Sequence, residues 1–145
     1  MYTMLANVTE EAGYLKALDE AGIAPDPALV THAPARSVDG YESMVKLLAL
    51  PQPPSAVFCC TDRMAMGAYD AIKERGLSIP GHVAVIGFDN QLIISEQLRP
   101  ALTTVALPFE EMGARSVALL AAALAGEENP PITVIECQLI GRDSV

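Results

Sequence analysis

Two apolar runs, each followed by an aspartate, constrain the fold of this chain more than any other feature. The first, Ser55–Cys60, leads into Asp62, and the second, Val83–Phe88, leads directly into Asp89. Residues 63–75 between them carry apolar side chains at the helical period. Strands with two apolar faces, alternating with helices, are typical of a mostly parallel sheet flanked by helices. The sequence therefore predicts an α/β fold.

The same alternation of helix and strand patterns extends over the whole chain. Asp39 and Glu42 have the spacing of a helix start, and Pro108 is expected at the first position of the last helix. Gly76 and Gly126 stand where the preceding helices should end. Further helices are predicted over about 9–21, 39–50 and 108–125, further strands over 28–31, 102–107 and 132–140, and a loop or short helix over 91–101.

Composition and charge exclude several classes of function. The 145 residues are 51% hydrophobic, which suits one domain with a sizeable core. The chain has nine Lys and Arg against eighteen Asp and Glu, which gives a net charge of −9. Because the basic residues are also scattered, DNA binding by this chain is disfavoured. The longest apolar run, residues 117–125, is too short to span a membrane, and residues 1–6 do not read as a signal peptide.

The cysteines and histidines indicate neither a metal site nor an enzyme. Cys59 and Cys60 are neighbours, and Cys137 makes the number odd, which favours reduced, mostly buried thiols in a cytosolic protein. His32 and His82 stand alone, without a nucleophile motif or a phosphate-binding glycine loop. We therefore expect binding without catalysis, and no metal or cofactor.

Asp62 and Asp89 are the candidate ligand-binding residues. In an open α/β sheet the ligand crevice lies beyond the carboxyl ends of the parallel strands, where both aspartates fall. Each carboxylate could accept hydrogen bonds from sugar hydroxyls or from base N–H groups. Two purely structural alternatives remain open: Asp62 suits the N-cap of the next helix, and Asp89 could close an Asx-turn.

Residues 54–68, which read P-S-A-V-F-C-C-T-D-R-M-A-M-G-A, resemble a stretch of the LacI/GalR family of bacterial transcription regulators. Upstream of it, the A-G-Y at residues 12–14 and the G-Y-E-S-M at residues 40–44 look like two helices of the same family. Further matches follow in the family's order and spacing, at residues 76–89, 98–105 and 139–144. The resemblance covers nearly the whole chain from about residue 9.

The resemblance implies the C-terminal part of an effector-binding domain of the periplasmic-binding-protein type, a partial type I lobe. Residues of about 9–90 and 132–145 would form the second lobe, and residues of about 98–126 would belong to the first. The helix-turn-helix domain and most of the first lobe would lie outside this chain. The helix over 108–125 would then lack its normal partner, and we expect its apolar face to seek another surface, most simply a second copy.

The resemblance also bears on the binding residues. Asp62 and Asp89 match positions that line the effector cleft of the family. Glu10 stands where many members have an arginine, and Ala35 stands where an aromatic residue is common. These departures weaken the case for an anionic effector. Glu10 could also be only the reciprocal partner of an Asn7 N-cap.

The resulting interpretation is the effector-sensing part of a cytoplasmic, homodimeric LacI/GalR-type regulator. It would bind a small polar metabolite, with a sugar as the favoured class, and would reach DNA only through the absent helix-turn-helix domain. With half of its cleft absent, the chain should bind sugars weakly or not at all. The main alternative is a periplasmic sugar-binding protein of a transport system, and a small enzyme is a weaker third.

Overall fold

The computed structural model describes the backbone of residues 2–6 and 8–145 and the side chains of residues 11–145. Its strands are β1 (Tyr2–Ala6), β2 (Val30–His32), β3 (Ala56–Cys59), β4 (Ala84–Asp89), β5 (Thr103–Ala106) and β6 (Gln138–Ile140). They form one six-stranded sheet in the order β2-β1-β3-β4-β5-β6. All neighbouring pairs are parallel except β5 and β6, which are antiparallel. The predicted mostly parallel α/β architecture is confirmed.

Five α-helices connect these strands within the described residues. They are α1 (Val8–Glu20), α2 (Ser37–Leu48), α3 (Asp62–Glu74), α4 (Leu92–Ser95) and α5 (Phe109–Leu124), and a single 3-10 turn covers Pro27–Leu29. Gly76 and Gly126 follow α3 and α5 with φ of 71° and 79°, the left-handed conformation expected of glycine after a helix. None of the described helices is long and apolar enough to cross a membrane.

The predicted helix starts are wrong in detail. The helix α2 begins at Ser37, with Arg36 as its N-cap, so Asp39 lies inside the first turn. The Asp39 carboxylate accepts two hydrogen bonds from the Arg36 guanidinium, at 2.6 and 2.8 Å. Pro108 is the N-cap of α5 and not its first helical residue. In α3 the N-cap is Thr61, whose hydroxyl accepts a hydrogen bond from the Met64 N–H at 3.2 Å. Since Thr61 caps the helix, the Asp62 carboxylate is free for other contacts.

The main core lies between one face of the sheet and the pair α2–α3. Two glycines allow these helices to approach closely. A Cβ at Gly40 would overlap the backbone of Met64, and a Cβ at Gly67 would overlap the carbonyl of Ser37. The largest fully buried side chains lie around this contact: Tyr69, Met44, Leu47, Met64, Ile72, Leu102, Val57, Val83 and Val85.

The opposite face of the sheet is only partly covered. Along β3 and β4 buried residues alternate with half-buried ones, so the expectation of strands buried on both faces is wrong for this face. The helix α1 lies beside this face, and Leu18 is the only buried residue among the described side chains of α1. An apolar groove remains beside Tyr14, Phe58 and Ile86.

The last predicted strand is also too long. Of residues 132–140, only Gln138–Ile140 pair, and their partners are residues 104–106 of β5. Because β5 ends at Ala106, residues 132–137 have no strand beside them, and Ile132 and Val134 are about four-fifths exposed. The assignment of residues 98–126 to a first lobe stays a prediction.

Candidate functional site

The carboxyl ends of β3, β4 and β5 meet at one edge of the sheet and bring the two predicted aspartates together. Asp62 opens α3 three residues after β3 ends, and Asp89 is the last residue of the neighbouring β4. Thr104 of β5 pairs with Gly87 of β4 and lies buried beneath this edge. Two strands thus bring acidic side chains to the place where ligands bind in open α/β sheets.

The buried Asp62 carboxylate connects these elements through hydrogen bonds. It is fully buried, and its Oδ1 accepts a hydrogen bond from the Thr104 hydroxyl at 2.6 Å. Its Oδ2 accepts one from the backbone N–H of Gln91 at 2.7 Å. Gly87 of β4 allows this approach, because a Cβ there would overlap Asp62 Oδ1. In this arrangement Asp62 joins α3, β5 and the turn after β4, and both of its oxygens are occupied within the protein.

Burial and a second carboxylate change the acidity of this group. Burial raises the pKa of Asp62 to about 6, and the nearby Asp89 charge adds to the rise. The hydrogen bonds from Thr104 and Gln91 favour the charged form of Asp62 and therefore oppose the rise in its pKa. Asp62 therefore takes up a proton at a higher pH than an ordinary carboxyl does.

The Asp89 carboxylate lies beside that of Asp62 and shares a side-chain hydrogen bond with it when one of the two is protonated. Its Oδ2 accepts a hydrogen bond from the Gln91 side-chain amide at 2.8 Å. Its Oδ1 is buried and has no hydrogen-bond donor among the described residues. The Asx-turn interpretation is wrong, because the Gln91 backbone N–H donates to Asp62 and not to Asp89. A buried acceptor without a donor is costly, and a proton held between Asp89 and the neighbouring Asp62 carboxylate would satisfy it.

Several residues that build this edge were not anticipated as site residues: Thr104, Asn90, Gln91, Ser95 and Arg142. The Arg142 guanidinium donates to Asn90 Oδ1 at 3.0 Å, across 52 positions of sequence, and Thr104 and Asp62 are 42 apart. Thr104 and Arg142 do lie in segments that match the LacI/GalR pattern. That match was the available signal, but it did not show which side chains meet.

Glu10 and Ala35 are the two remaining predicted site residues. The side chain of Glu10 lies outside the described residues. Ala35 lies in the loop before α2 and packs against the core cluster, where it offers only a methyl group. Nearby, Glu11 and His32 pair at 2.9 Å on the surface. The roles of Glu10 and Ala35 in ligand binding stay predictions.

The described residues offer no evident place for a metal ion or a reactive thiol in this site. No group of three His, Cys, Asp or Glu side chains among them could hold a metal ion. Cys59 and Cys60 are free and buried, and Cys137 is free and exposed. Burial holds the pKa of the Cys59 thiol well above its usual value, so this thiol stays protonated. The arrangement is suited to binding a polar molecule.

Comparison with known proteins decides the family. The sequence profile of the periplasmic binding protein-like domain matches residues 8–145. The chain belongs to this family. Its relatives are transcription regulators, which confirms the LacI/GalR resemblance.

Two curated relatives and one solved structure show how far the similarity extends. The HTH-type transcriptional repressor PurR of Pasteurella multocida (strain Pm70) is 41% identical over 139 residues, 94% of this chain and 41% of the relative. The repressor CytR of Escherichia coli (strain K12) is 38% identical over 91% of this chain and 39% of its own length. The regulator CelR in complex with cellobiose superimposes with a TM-score of 0.90 and 31% identity, over 99% of this chain and 46% of that structure.

This chain therefore spans about 40% of the length of the curated relatives it matches. These relatives are transcriptional repressors and not enzymes, as the sequence predicts.

Proposed function

We propose that this chain forms one wall of the effector-binding cleft of a LacI-type transcription regulator. The observation that carries the proposal is the convergence of Asp62 and Asp89 at the carboxyl ends of the neighbouring strands β3 and β4, where Asp89 is half-buried. This position agrees with where small molecules bind in open α/β sheets. A ligand hydroxyl or N–H would donate to the Asp89 carboxylate.

The ligand is a small polar metabolite, with a sugar as the favoured class. Sugars carry many hydroxyl donors, which suit the carboxylate acceptors at this edge. One similar structure is a regulator in complex with cellobiose, which supports the same class. An anionic ligand fits less well, because Asp89 is acidic and the nearby Arg142 already pairs with Asn90 and Leu102.

The complete regulator would contact DNA through a helix-turn-helix domain outside this chain, as a homodimer in the cytoplasm. The names of the HTH-type relatives support the DNA-binding role and favour it over a periplasmic transport protein. Of residues 98–126, β5 lies in this sheet beside β4, and α5 would pack on the first lobe. The exposed apolar face of α5 supports both that packing and association between copies.

The proposal can be tested by NMR titration of the chain with cellobiose, glucose and ribose at up to tens of millimolar. One wall of a cleft supplies only part of the contacts, so we expect affinities in the millimolar range or weaker. The backbone amide signals of Asp89, Asn90 and Gln91 should shift on addition of at least one sugar. The variant Asp89→Asn should abolish these shifts, since one carboxylate oxygen becomes an N–H donor.

Asp70→Asn is the matched control, because it makes the same chemical change on the exposed side of α3. It should leave the titration unchanged. Shifts confined to residues away from the edge, or the absence of any shift with all three sugars, would contradict a sugar site at Asp89. A micromolar affinity would contradict the role of this chain as only one wall.

A further inference from the structure

The segment that follows the last strand reaches the turn that carries Asp89 through one side chain, Arg142. This side chain is only 14% exposed. Its Nη1 donates to the carbonyl of Leu102, just before β5, at 2.8 Å, and its Nη2 donates to Asn90 Oδ1 at 3.0 Å. Its backbone N–H donates to the Thr103 hydroxyl at 2.8 Å. Arg142 thus joins the C-terminal segment, β5 and the turn after β4.

That turn, residues 89–91, is called the ligand loop below, and it has an unfavourable backbone. Asp89 and Asn90 have φ of 98° and 51°, in the left-handed region that side-chain-bearing residues rarely adopt. Two such residues in succession persist only where the surrounding structure holds them. Asn90 tolerates this conformation better than most residues, but its own contacts must still favour it.

The contacts that hold the ligand loop are made by the two residues that follow Asp89. Asn90 Oδ1 accepts from Arg142 and also from the hydroxyl of the buried Ser95, at 3.3 Å. The Gln91 N–H donates to Asp62 at 2.7 Å. The Asp62 contact fixes the exit of the loop. The Arg142 contact connects the loop to the far end of the chain.

We propose that Arg142 is a positioning residue, which holds the ligand loop in the left-handed conformation that places Asp89 at this edge of the sheet. The functional meaning of that placement rests on the proposed ligand-binding function. An arginine suits the role because its planar fork donates to two acceptors in fixed directions, whereas a lysine would offer a single mobile charge. Glu96, whose carboxylate lies 3.9 Å from Nη2, balances the charge.

Amide hydrogen exchange of the ligand-free chain tests this directly. In Arg142→Met the loop loses its outer anchor, so the Gln91 amide should exchange at least about tenfold faster than in the wild type. The Ile72 amide in α3 serves as an internal reference and should change little. Arg75→Met is the matched control, because Arg75 also donates to a backbone carbonyl, that of Val45 at 3.2 Å, but does not contact the loop.

Replacement of Asn90 separates positioning from general stability. Glycine adopts a positive φ without an anchor, so Arg142→Met combined with Asn90→Gly should recover the protection of Gln91. Asn90→Ala alone should lose it, because alanine lacks the acceptor and disfavours positive φ. This second variant keeps the proposal testable if Arg142→Met does not fold.

Unchanged exchange at Gln91 in Arg142→Met would overturn the proposal, as would an equal acceleration at Ile72, which would indicate a merely structural role. These measurements use no ligand, so they stand apart from the sugar titration. If the wild type binds cellobiose as proposed, Arg142→Met should weaken that binding about tenfold. Unchanged affinity would also overturn the positioning role.

Discussion

The helices α3 and α5 have similar lengths and apolar stripes, yet they have opposite environments. Eight of the thirteen residues of α3 are buried, and none of the sixteen residues of α5 is. Val117, Leu120 and Leu124 of α5 are between 61% and 82% exposed. An apolar stripe shows that a helix needs a partner surface, but it does not show whether the same chain provides it.

The difference arises from what lies beside each helix. The sheet covers one side of α3, and α2 packs against another at the Gly67 contact. α5 follows β5 at the end of the parallel part of the sheet, and no described element covers its apolar face. α3 is therefore expected to contribute strongly to the free energy of unfolding, and α5 very little.

Truncation of one apolar side chain in each helix should show the largest effect. Ile72→Ala in α3 should lower the free energy of unfolding by about 2–5 kcal/mol, because the side chain is fully buried and its removal leaves a cavity. Leu120→Ala in α5, at a position 61% exposed, should change it by less than about 0.5 kcal/mol. Urea unfolding followed by circular dichroism measures both. Similar losses in the two variants would show that α5 packs on the core in solution.

A glycine-to-alanine pair sharpens the same comparison. Gly67→Ala should lower the free energy of unfolding by about 1–3 kcal/mol, since its Cβ would overlap the Ser37 carbonyl of α2. Gly113→Ala in α5 has no atom within 4 Å of the new Cβ, and alanine is the better helix former. It should increase the helical signal and leave the unfolding midpoint of the core unchanged. A destabilised Gly113→Ala would reveal a close partner for α5.

The smallest expected effect concerns Asp62, the carboxylate buried at the start of α3, and the pH dependence of the free energy of unfolding. Burial of Asp62, with a pKa of about 6, favours the protonated form in the folded state, whereas the unfolded chain titrates near 4. The folded chain thus binds more protons between these values, and Asp62 reduces stability as the pH rises from about 4 to 6. Asp62→Asn removes this titration. Its stability relative to the wild type should rise by about 1–2 kcal/mol from pH 4 to pH 7.

Urea unfolding of both proteins at pH 4, 5, 6 and 7 measures that change. Asp70→Asn, at an exposed position of α3, is the control and should follow the wild type at every pH. If the free energies of unfolding of Asp62→Asn and the wild type differ by the same amount at every pH, the raised pKa of Asp62 is contradicted.

Much of the fold could be predicted because local patterns decide it. The apolar runs of β3 and β4, the period of α3 and the glycine after it predict the parallel α/β order, which also places Asp62 near Asp89. The choice of Thr61 as the N-cap could not be predicted, since Thr and Asp serve almost equally well in that position. Nor could the pairing of Arg142 with Asn90, because a linear pattern does not indicate which distant side chains meet.

The amino-acid sequence by itself determined the order of helices and strands, the resemblance to a family and the edge of the sheet where polar residues gather. Only the tertiary structure decided that both oxygens of Asp62 accept hydrogen bonds within the protein and that Asp89 lies beside it. It also decided that α3 is buried and α5 exposed. The physical reason is that propensity and periodicity act over a few neighbouring residues, whereas burial and hydrogen-bond partners depend on segments brought together from far along the chain.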